Sequence, residues 1–393
     1  MKAAVLGAGG LGRTIALELS ADRRVSEIVL MDRRGDRSRA LQSIGRTVPI
    51  SALQADVTDG ATVRRALQGV DVAVNATLPE FNLQIMKACL EVGCGYVDTS
   101  AASPIMPGEK LGIHDQLALD DAWRSRGLTA IVGMGSDPGV SNVMARMAAD
   151  RLARIDTIRI RWATSGTGVE GFPLYSREIF LRDALSPPVV WDGKQVVEHP
   201  PASGVEDFEF PPPIGTRKVH LFRHEEVTTL PLRLGKPVGW VDYKHAIDLN
   251  LVRAITELNA LGLLGPDRHV KLGDRVVTFR DAFLAAFPEP STLIGPLTGT
   301  LAIVVEIGGA REDGTPAKVR VWTLMDHKEA NRRRGTTAEY FLTAAAAASA
   351  MVLIGEKRVP RPGVLSPEEL APDLIRPELE SRGLRFEVAE LPP

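Results

Sequence analysis

A short glycine-rich turn near the start of the chain constrains its fold more than any other feature. The sequence GAGGLG at positions 7–12 follows the apolar run Ala3–Leu6 and opens a segment with Leu11, Ile15 and Leu19 at helical spacing. In this G-x-G-x-x-G pattern the first glycine makes a tight turn, the second admits a pyrophosphate close to the backbone, and the third packs the helix against the strand. The pattern predicts a dinucleotide site at the helix N-terminus. Its binding candidates are Gly7, Gly9, Gly10, Leu11 and Gly12.

The end of the second predicted strand, Glu27–Met31, indicates which dinucleotide is bound. Asp32 follows this strand at the position where a carboxylate accepts hydrogen bonds from both hydroxyls of an adenosine ribose, which favours NAD. Arg33 and Arg34 come next, and guanidinium groups there would bind the 2′-phosphate of NADP or stack on adenine. We therefore predict NAD as the cofactor, with NADP as the open alternative and Arg33 as a further contact.

The ends of the third and fourth predicted strands extend this site. Ligands of a doubly wound sheet bind at the carboxyl ends of its strands. We expect Asp56 and Val57 to contact adenine. The next strand end is expected to contact the nicotinamide ribose or the diphosphate through Asn75, Ala76, Thr77 and Leu78. The structural alternative is that both segments are ordinary turns after a strand.

The pattern of elements changes along the chain. In the first part, six β-branched runs are each followed by a candidate helix, which predicts a doubly wound parallel sheet with right-handed crossovers. These runs are Ala3–Leu6, Glu27–Met31, Val48–Leu53, Asp71–Asn75, Gly95–Asp98 and Leu128–Val132. Beyond residue 150, the one-sided strand Ile158–Trp162 and turns at Asp192-Gly193 and Asp313-Gly314 predict a mainly antiparallel sheet. The predicted fold class is α/β, an N-terminal Rossmann domain with a second α+β domain.

Two further segments bear on where the domains begin and end. The acidic stretch VEDFEF at 205–210 lies between proline clusters and is predicted to be a surface excursion. Thr336 and Glu339 have capping-box spacing, which predicts a buried alanine-rich helix from this point to Gly355. If that helix returns to the first domain, residues 1–135 are completed by 336–393. Residues 136–335 then form the substrate-binding and dimerisation domain.

Length and composition exclude several classes of protein. The chain has 393 residues, 44% hydrophobic and 24% charged, with a formal net charge of −2. This is ordinary for two globular domains, and it offers no electrostatic reason to expect nucleic acid or a membrane as partner. Cys89 and Cys94 cannot form a disulfide framework or a four-thiolate zinc site, and no secretory signal pattern is evident. We expect a cytoplasmic enzyme that acts on a small molecule.

Several segments together resemble the saccharopine dehydrogenase-like family. Besides the glycine turn, they are DVAVNATLPEFNLQIMKACLEVGCGYVDTS at 71–100, GMGSDPGVSNVMA at 133–145, LFRHEEVTTLPL at 221–232 and RPGVLSPEEL at 361–370. The lysine 6-dehydrogenase branch looks most similar. The resemblance implies a Rossmann domain, an α+β domain that contacts substrate, and a homodimer. It also implies NAD(P)-linked oxidation of a carbon bearing an amine, or reduction of the corresponding imine.

Two aspartates are candidates for the chemistry. Asp98 ends the fifth strand, where nicotinamide and substrate amine are expected to meet, so it is a candidate to bind the ammonium or accept its proton. The structural alternative is a cap on the following turn. Asp137 precedes Pro138 and a helical run, and a helix cap explains it completely. The resemblance, however, places this turn beside the active site, where it would contact substrate.

His224 and Glu225 are predicted to reach the rim of the substrate pocket from the second domain. A metal site that joins His220 to His224 is not expected. On a strand these histidines lie about 13 Å apart, and the following VTTLPL argues against a helix. We therefore predict no metal. Candidates for binding a substrate carboxylate are Arg177, Arg223 and Lys244.

The predicted function is that of an NAD(P)-dependent oxidoreductase acting on the CH–NH group of an amino acid or diamine. In the manner of lysine 6-dehydrogenase, hydride would pass from the amine-bearing carbon to nicotinamide. Two alternatives stay open. One is an imine reductase that joins two molecules, as in saccharopine or carboxynorspermidine formation. The other is a regulatory protein that binds a dinucleotide without turnover.

Overall fold

The computed structural model describes residues 1–42, 47–102, 112–166, 174–290, 293 and 297–392. Within these residues, seven parallel strands form one sheet. Their order is β3 (Ile50–Gln54), β2 (Glu27–Asp32), β1 (Lys2–Leu6), β4 (Val72–Asn75), β5 (Gly95–Asp98), β6 (Thr129–Ile131) and β17 (Gly363–Leu365). Because β1 lies between β2 and β4, the strand order reverses beside it, and such a point is where doubly wound sheets bind ligands. The predicted parallel sheet is confirmed.

Helices cover both faces of this sheet, which explains why its strands are apolar throughout. Along β1, Ala3 and Val5 belong to one buried core while Ala4 and Leu6 belong to another. One face is covered by α1 (Gly10–Ser20) and α13 (Ala338–Gly355), and the other by α3 (Gly60–Ala66), α4 (Asn82–Val92) and α6 (Asp120–Ser125). The remaining helices of this part are α2 (Gly35–Gln42), α5 (Gly112–Leu117) and α14 (Pro372–Ser381).

The second sheet is mainly antiparallel, as predicted. Its strands run in the order β10 (Glu206–Phe210), β11 (Gly215–Leu221), β12 (Val241–His245), β7 (Arg154–Thr164), β15 (Thr300–Ala310), β16 (Pro316–Asp326) and β18 (Glu387–Leu391). The short hairpin of β8 (Val189–Trp191) and β9 (Val196–Glu198) pairs with β12. Strands β7 and β12 pair in parallel. The predicted hairpins at Asp192-Gly193 and Asp313-Gly314 are both confirmed.

Helices and a small hairpin complete the second part. The hairpin consists of β13 (His269–Leu272) and β14 (Arg275–Thr278). The helices are α7 (Val140–Ala149), α8 (Arg177–Leu185), α9 (Glu226–Arg233), α10 (Leu249–Ala260), α11 (Phe279–Ala285) and α12 (His327–Arg334). Helix α7 packs on β15 and β16, and α9 packs on β12. These contacts bring α7 and α9 to the side of the sheet that faces the first part of the chain.

Three local predictions are wrong, and in the first two tertiary burial outweighs the local pattern. The stretch at 205–210 forms β10 rather than a surface excursion, since Phe208 and Phe210 are buried against the sheet. The VTTLPL segment is helical within α9, whose residues 227–230 are buried. The N-cap of α13 is Thr337, whose hydroxyl accepts the Tyr340 N–H at 3.3 Å, so the predicted capping box is absent from the described hydrogen bonds.

Helix α13 and the segment after it link the two parts. Helix α13 is long and apolar enough to span a membrane. However, 83% of its 18 residues are buried inside the protein, as in a core helix. Strand β17 then joins the parallel sheet, whereas β18 pairs with β16 of the second sheet. The division into 1–135 with 336–393 and 136–335 stays a prediction.

Candidate active site

A cavity of about 820 Å³ lies at the carboxyl ends of the parallel strands, where the two parts of the chain meet. On one side it is lined by the glycine turn and the ends of β2, β3 and β4. On the other side it is lined by Asp137, Tyr175, His224, Glu225 and Glu339. Its volume is at the upper end of the range for small-molecule and cofactor sites.

The three glycines of the fingerprint are required for three different physical reasons. Gly7 has φ +106°, which L side chains rarely adopt, and a Cβ there would lie 2.7 Å from the Ala76 carbonyl oxygen. At Gly12 a Cβ would lie 1.8 Å from the Gly7 carbonyl oxygen, so this glycine permits close packing of helix and strand. At Gly9 a Cβ would meet no protein atom within 4 Å among the described residues. The space beside Gly9 is open toward the cavity that it lines.

The adenosine end of the cavity contains the predicted acidic residue. Asp32 ends β2, and its carboxylate accepts the N–H of Ala8 and the N–H of Arg34, both at 2.7 Å. These bonds fix the carboxylate beside the glycine turn. Arg33 lines the cavity together with Arg37, which the sequence interpretation missed. The available signal was that Arg37 lies four residues beyond Arg33, in the first turn of α2.

At the ends of β3 and β4, some residues line the cavity, and others hold the backbone around it. Asp56 and Val57 line it, and Asp56 also accepts the Thr58 N–H at 2.9 Å. Ala76, Thr77 and Leu78 line it as well. Asn75 does not, because its side chain is buried and bonds the Thr77 N–H and the Leu78 carbonyl oxygen. Gly12 lies outside the lining for the packing reason given above.

These features fit a dinucleotide. The first turn of α1 has backbone N–H groups without intrahelical partners, the Gly9 surface is open to the cavity, and a carboxylate lies at the end of β2. A bound pyrophosphate would therefore be held at Gly9, Gly10 and Leu11, and an adenosine ribose at Asp32. Nicotinamide would then extend toward Ala76–Leu78 and the acidic side of the cavity.

Asp98 is not where the sequence placed it. Its side chain is 1% exposed, and its carboxylate accepts the Gly133 N–H at 2.7 Å and a hydrogen bond from the Gln116 amide. Burial raises the pKa of Asp98 to about 7, against the effect of these hydrogen bonds. The residue is absent from the described lining of the cavity. The strand end turns the carboxylate inward, so the prediction that it emerges at the cleft is corrected.

Asp137 lines the cavity that Asp98 does not reach. Helix α7 is capped at Gly139, whose N–H donates to the Asn142 side chain at 2.8 Å, so Asp137 is not the predicted helix cap. Its carboxylate accepts hydrogen bonds from the Ser136 hydroxyl at 2.7 Å and from the Tyr243 hydroxyl. It lines the cavity, and burial raises its pKa to about 6. Such a group can exchange a proton near neutral pH.

A charged histidine lies beside Asp137. The His224 Nδ1 bonds Glu226 at 3.0 Å, and the His224 ring stacks on Tyr243 with 3.7 Å between ring centroids. Burial alone lowers the pKa of His224, but the charges of Glu226, Asp137 and Glu225 raise it to about 10. The Glu226 carboxylate is itself held by the Ser141 hydroxyl at 2.6 Å. These charges favour the imidazolium form of His224 at neutral pH, in which Nδ1 bonds Glu226 and Nε2 has no hydrogen-bond partner among the described residues.

Two buried glutamates make this side of the cavity acidic. Glu225 accepts the Ala101 N–H at 2.7 Å, and burial raises its pKa to about 7. Glu339, from the first turn of α13, is 6% exposed, and burial and the negative charge of Asp137 raise its pKa well above the usual value. Sequence reasoning treated Glu339 as a capping residue. Nothing in the local pattern distinguishes a capping glutamate from one that lines a cavity.

Further residues of the lining were also missed. His245 stacks on Trp162 at 3.8 Å between ring centroids, and its Nδ1 accepts the Ile247 N–H at 3.1 Å. Burial lowers the pKa of His245 well below its usual value, so the ring is neutral and carries its proton on Nε2. The other missed lining residues of this side include Ser136, Tyr175, Tyr340 and Thr343. They come from segments distant in sequence, and no local signal unites them.

The three predicted carboxylate binders are separated by the fold. Arg177 lines the cavity, where it pairs with Glu289 at 2.9 Å. Arg223 is buried and donates to the Pro187 carbonyl oxygen at 2.9 Å, and Lys244 pairs with Glu206 at 3.3 Å. Neither belongs to the described lining. Of the three, Arg177 alone belongs to the described lining, and Glu289 already pairs with it there.

His224, Glu225 and Glu226 form a group of possible metal ligands. Their ligand atoms lie within 4.8 Å of one another. The sequence interpretation considered these three residues together with His220 and rejected the site because the two histidines would lie too far apart on a strand, so it did not weigh the three without His220. In the structure Glu226 bonds His224, and Glu225 bonds Ala101, so a metal ion would have to replace both interactions.

Comparison with known proteins places the chain in a family. Residues 3–131 match the model of the saccharopine dehydrogenase NADP binding domain, and residues 135–384 match that of the saccharopine dehydrogenase C-terminal domain. Carboxynorspermidine synthase from Vibrio alginolyticus is 26% identical over 407 residues, covering 99% of this chain and 97% of that protein. Carboxyaminopropylagmatine dehydrogenase from Synechocystis is 27% identical over 394 residues, covering 98% of this chain and 96% of that protein.

A solved structure shares the fold. The apo saccharopine dehydrogenase (L-Glu forming) from Saccharomyces cerevisiae superposes with a TM-score of 0.72 at 15% identity, and 100% of both chains is covered. The predicted resemblance is thus confirmed at the level of the family. Because the two family models match in chain order and together span nearly all of the sequence, this chain belongs to the saccharopine dehydrogenase family of NAD(P)-dependent oxidoreductases.

Proposed function

We propose that this enzyme reduces an imine formed between a primary amine and a carbonyl compound derived from an amino acid, which yields a secondary amine. The observation that carries the proposal is the excess of carboxylates on the substrate side of the cavity. Asp137, Glu225 and Glu339 lie there, while Arg177 is already paired with Glu289. An amine substrate with more than one amino group suits this side of the cavity, because each ammonium group can pair with a carboxylate.

The relatives support the same choice. Their names, carboxynorspermidine synthase and carboxyaminopropylagmatine dehydrogenase, describe amines that carry a carboxylated chain. Joining a primary amine to a carbonyl compound by imine reduction makes compounds of this kind. Oxidation of a single amine, as in lysine 6-dehydrogenase, remains the alternative within the same chemistry.

The reaction balances without a further reactant. The amine nitrogen adds to the carbonyl carbon, the adduct loses water, and the resulting C=N bond takes up one hydride and one proton. A bound reduced nicotinamide supplies the hydride. The chain has to provide a base that frees the amine lone pair, an acid for the departing oxygen, and an orientation of both reactants.

The residues beside the cavity suit these roles. The Asp137 carboxylate, held by Ser136 and Tyr243, accepts the ammonium proton, because its raised pKa brings it closer to neutral pH. The Nε2–H of His224 donates to the oxygen that leaves as water. Glu226 keeps the His224 ring oriented and charged. Both reacting groups lie on the side of the cavity toward which nicotinamide would extend.

The cofactor is proposed to be NAD. The carboxylate of Asp32 favours a free ribose diol, because it would repel a 2′-phosphate. Arg33 and Arg37 line the same end of the cavity, so NADPH belongs in every assay beside NADH.

The test is a panel of assays in which each amine is combined with each carbonyl compound. The purified protein is incubated with NADH or NADPH, a set of diamines and agmatine, and a set of amino-acid semialdehydes and 2-oxo acids. We expect loss of reduced nicotinamide only when an amine and a carbonyl compound are both present. Mass spectrometry should find a product that equals the two reactants minus water plus two hydrogens.

Other outcomes would contradict the proposal in distinct ways. Reduction of NAD⁺ or NADP⁺ with lysine or a diamine as the single organic substrate would instead support amine oxidation. Dinucleotide binding without turnover on any combination would support a regulatory protein.

A further inference from the structure

We propose that Glu339 binds a second cationic group of the amine substrate and so makes the enzyme prefer diamines and guanidino amines to monoamines. This inference rests on the proposed function and adds to it a residue that determines specificity. It assigns a role to a side chain that neither the helix nor the reaction described above uses.

The first observation is the isolation of this carboxylate. Glu339 lines the cavity and is 6% exposed, and its Oε2 is buried without a hydrogen-bond partner among the described residues. Buried carboxylates normally have hydrogen-bond or cationic partners, because leaving one unpaired is strongly unfavourable. A ligand that donates a hydrogen bond and carries positive charge would satisfy this atom.

The second observation is that α13 does not need Glu339. Thr337 caps the helix by accepting the Tyr340 N–H, and the Thr336 hydroxyl instead lies 3.2 Å from that of Thr14 on α1. A glutamate in a capping box would bond back to the backbone at the helix start. Glu339 makes no such bond in the described structure, and therefore its side chain is free to face the cavity.

The third observation is the position of Glu339 relative to the proposed base. One turn further along α13, the Thr343 hydroxyl donates to the Ser136 hydroxyl at 3.2 Å, and Ser136 in turn donates to Asp137. Helix α13 thus contacts the loop that carries Asp137 one turn away from Glu339, and Glu339 is near enough to Asp137 to interact with its charge. A short diamine would place one nitrogen at Asp137 and its other nitrogen at Glu339.

The charges around Glu339 also favour a cation from outside the protein. Asp137 is the negative neighbour that raises its pKa, and His224 is the positive neighbour that lowers it. The charge of His224 is already balanced by Glu226. A second ammonium or a guanidinium beside Glu339 would favour the ionised form of this carboxyl group and pair with it.

The experiment measures binding and does not require turnover. The protein, saturated with whichever of NAD⁺ or NADP⁺ it binds more tightly, is titrated calorimetrically with 1,3-diaminopropane and with propylamine. Wild type should bind the diamine more tightly. Glu339→Gln should weaken diamine binding by about 10-fold or more, the scale of one charged hydrogen bond, and leave propylamine binding within about 2-fold. Glu356→Gln, just beyond the other end of α13, is the control and should change neither value.

A melting curve separates this role from a structural one. Because Glu339→Gln replaces a buried carboxyl group whose Oε2 has no hydrogen-bond partner among the described residues with a neutral group of similar shape, the ligand-free variant should melt at or above the wild-type temperature. A clear fall in melting temperature, an equal loss for both amines, or no loss for either would overturn the proposal. A wild type that binds the two amines equally would do the same. Failure of the panel of assays alone would reject the imine-forming reaction and leave this binding result standing.

Discussion

The two ends of the cavity are built in different ways. At the cofactor end, one short run of residues and the neighbouring strand ends supply the contacts, and the backbone of Gly7–Gly12 determines the shape. At the substrate end, side chains come from segments distant in sequence, among them 136–137, 175–177, 224–225, 245 and 339–343. A local motif can encode the first kind of site, whereas the second exists only after both parts of the chain have folded.

The two ends also differ in their electrostatics. Asp32 at the cofactor end is partly exposed and accepts two backbone N–H groups. At the substrate end, burial raises the pKa of Asp137 to about 6 and that of Glu225 to about 7. Binding a dinucleotide needs fixed donors and space, while proton transfer needs groups that titrate near the working pH. The comparison predicts that substitutions at the cofactor end reduce dinucleotide binding, whereas substitutions at the substrate end reduce turnover.

The largest effect is expected at the cofactor end. Gly9→Val should weaken dinucleotide binding by about 100-fold or more, because a branched side chain would fill the space for pyrophosphate. The protein should still fold, since a Cβ at this position meets no described protein atom within 4 Å. Calorimetric titration and circular dichroism measure the two properties. Gly12→Val is the contrasting control and should unfold the protein, and a folded Gly9→Val variant that binds normally would contradict the assignment.

The next effect separates the two aspartates. Asp137→Asn should lower kcat by about 100-fold, the usual scale for loss of a general base, with unchanged cofactor affinity. Asp98→Asn should instead lower the free energy of unfolding by about 1–3 kcal/mol, because an amide NH₂ would face a backbone or side-chain donor. Steady-state kinetics and denaturant unfolding of both variants show which aspartate acts in turnover and which in stability. Lost turnover in a fully stable Asp98→Asn variant would restore Asp98 as the base.

The smallest effect is a shift in pH dependence. Because Asp137 must be ionised to accept a proton, kcat/KM should fall as the pH drops below about 6. The positive charge of His224 lowers the pKa of Asp137, so His224→Gln should raise that pKa and move the acid limb to higher pH by about one unit. The pH profile of kcat/KM measures the shift. His269→Gln, at a histidine on the exposed β13, is the control, and an acid limb that moves to lower pH would contradict the proposed pairing.

Sequence reasoning placed residues at the cavity correctly where a residue type acts through the local backbone, as glycine does in a tight turn. The glycine turn, Asp32 and the strand ends at Asp56 and Ala76 all lie at the cavity that the fingerprint predicts. It failed for Asp98, because a strand end specifies where the backbone stops and not whether the carboxylate turns outward or inward. Gln116 and the Gly133 N–H, both distant in sequence, hold that carboxylate inside the protein.

The sequence by itself determined the family, the parallel sheet and the cofactor end, because alternating apolar runs and the spacing of glycines act through local backbone geometry. Only the tertiary structure decided which acids face the substrate. Asp137 acquires its raised pKa from burial and its position from Tyr243 on β12, and Glu339 reaches the same cavity because α13 packs beside the loop at 136–137. Proton affinity depends on the dielectric surroundings and on neighbouring charges, and these are properties of the assembled fold rather than of any segment.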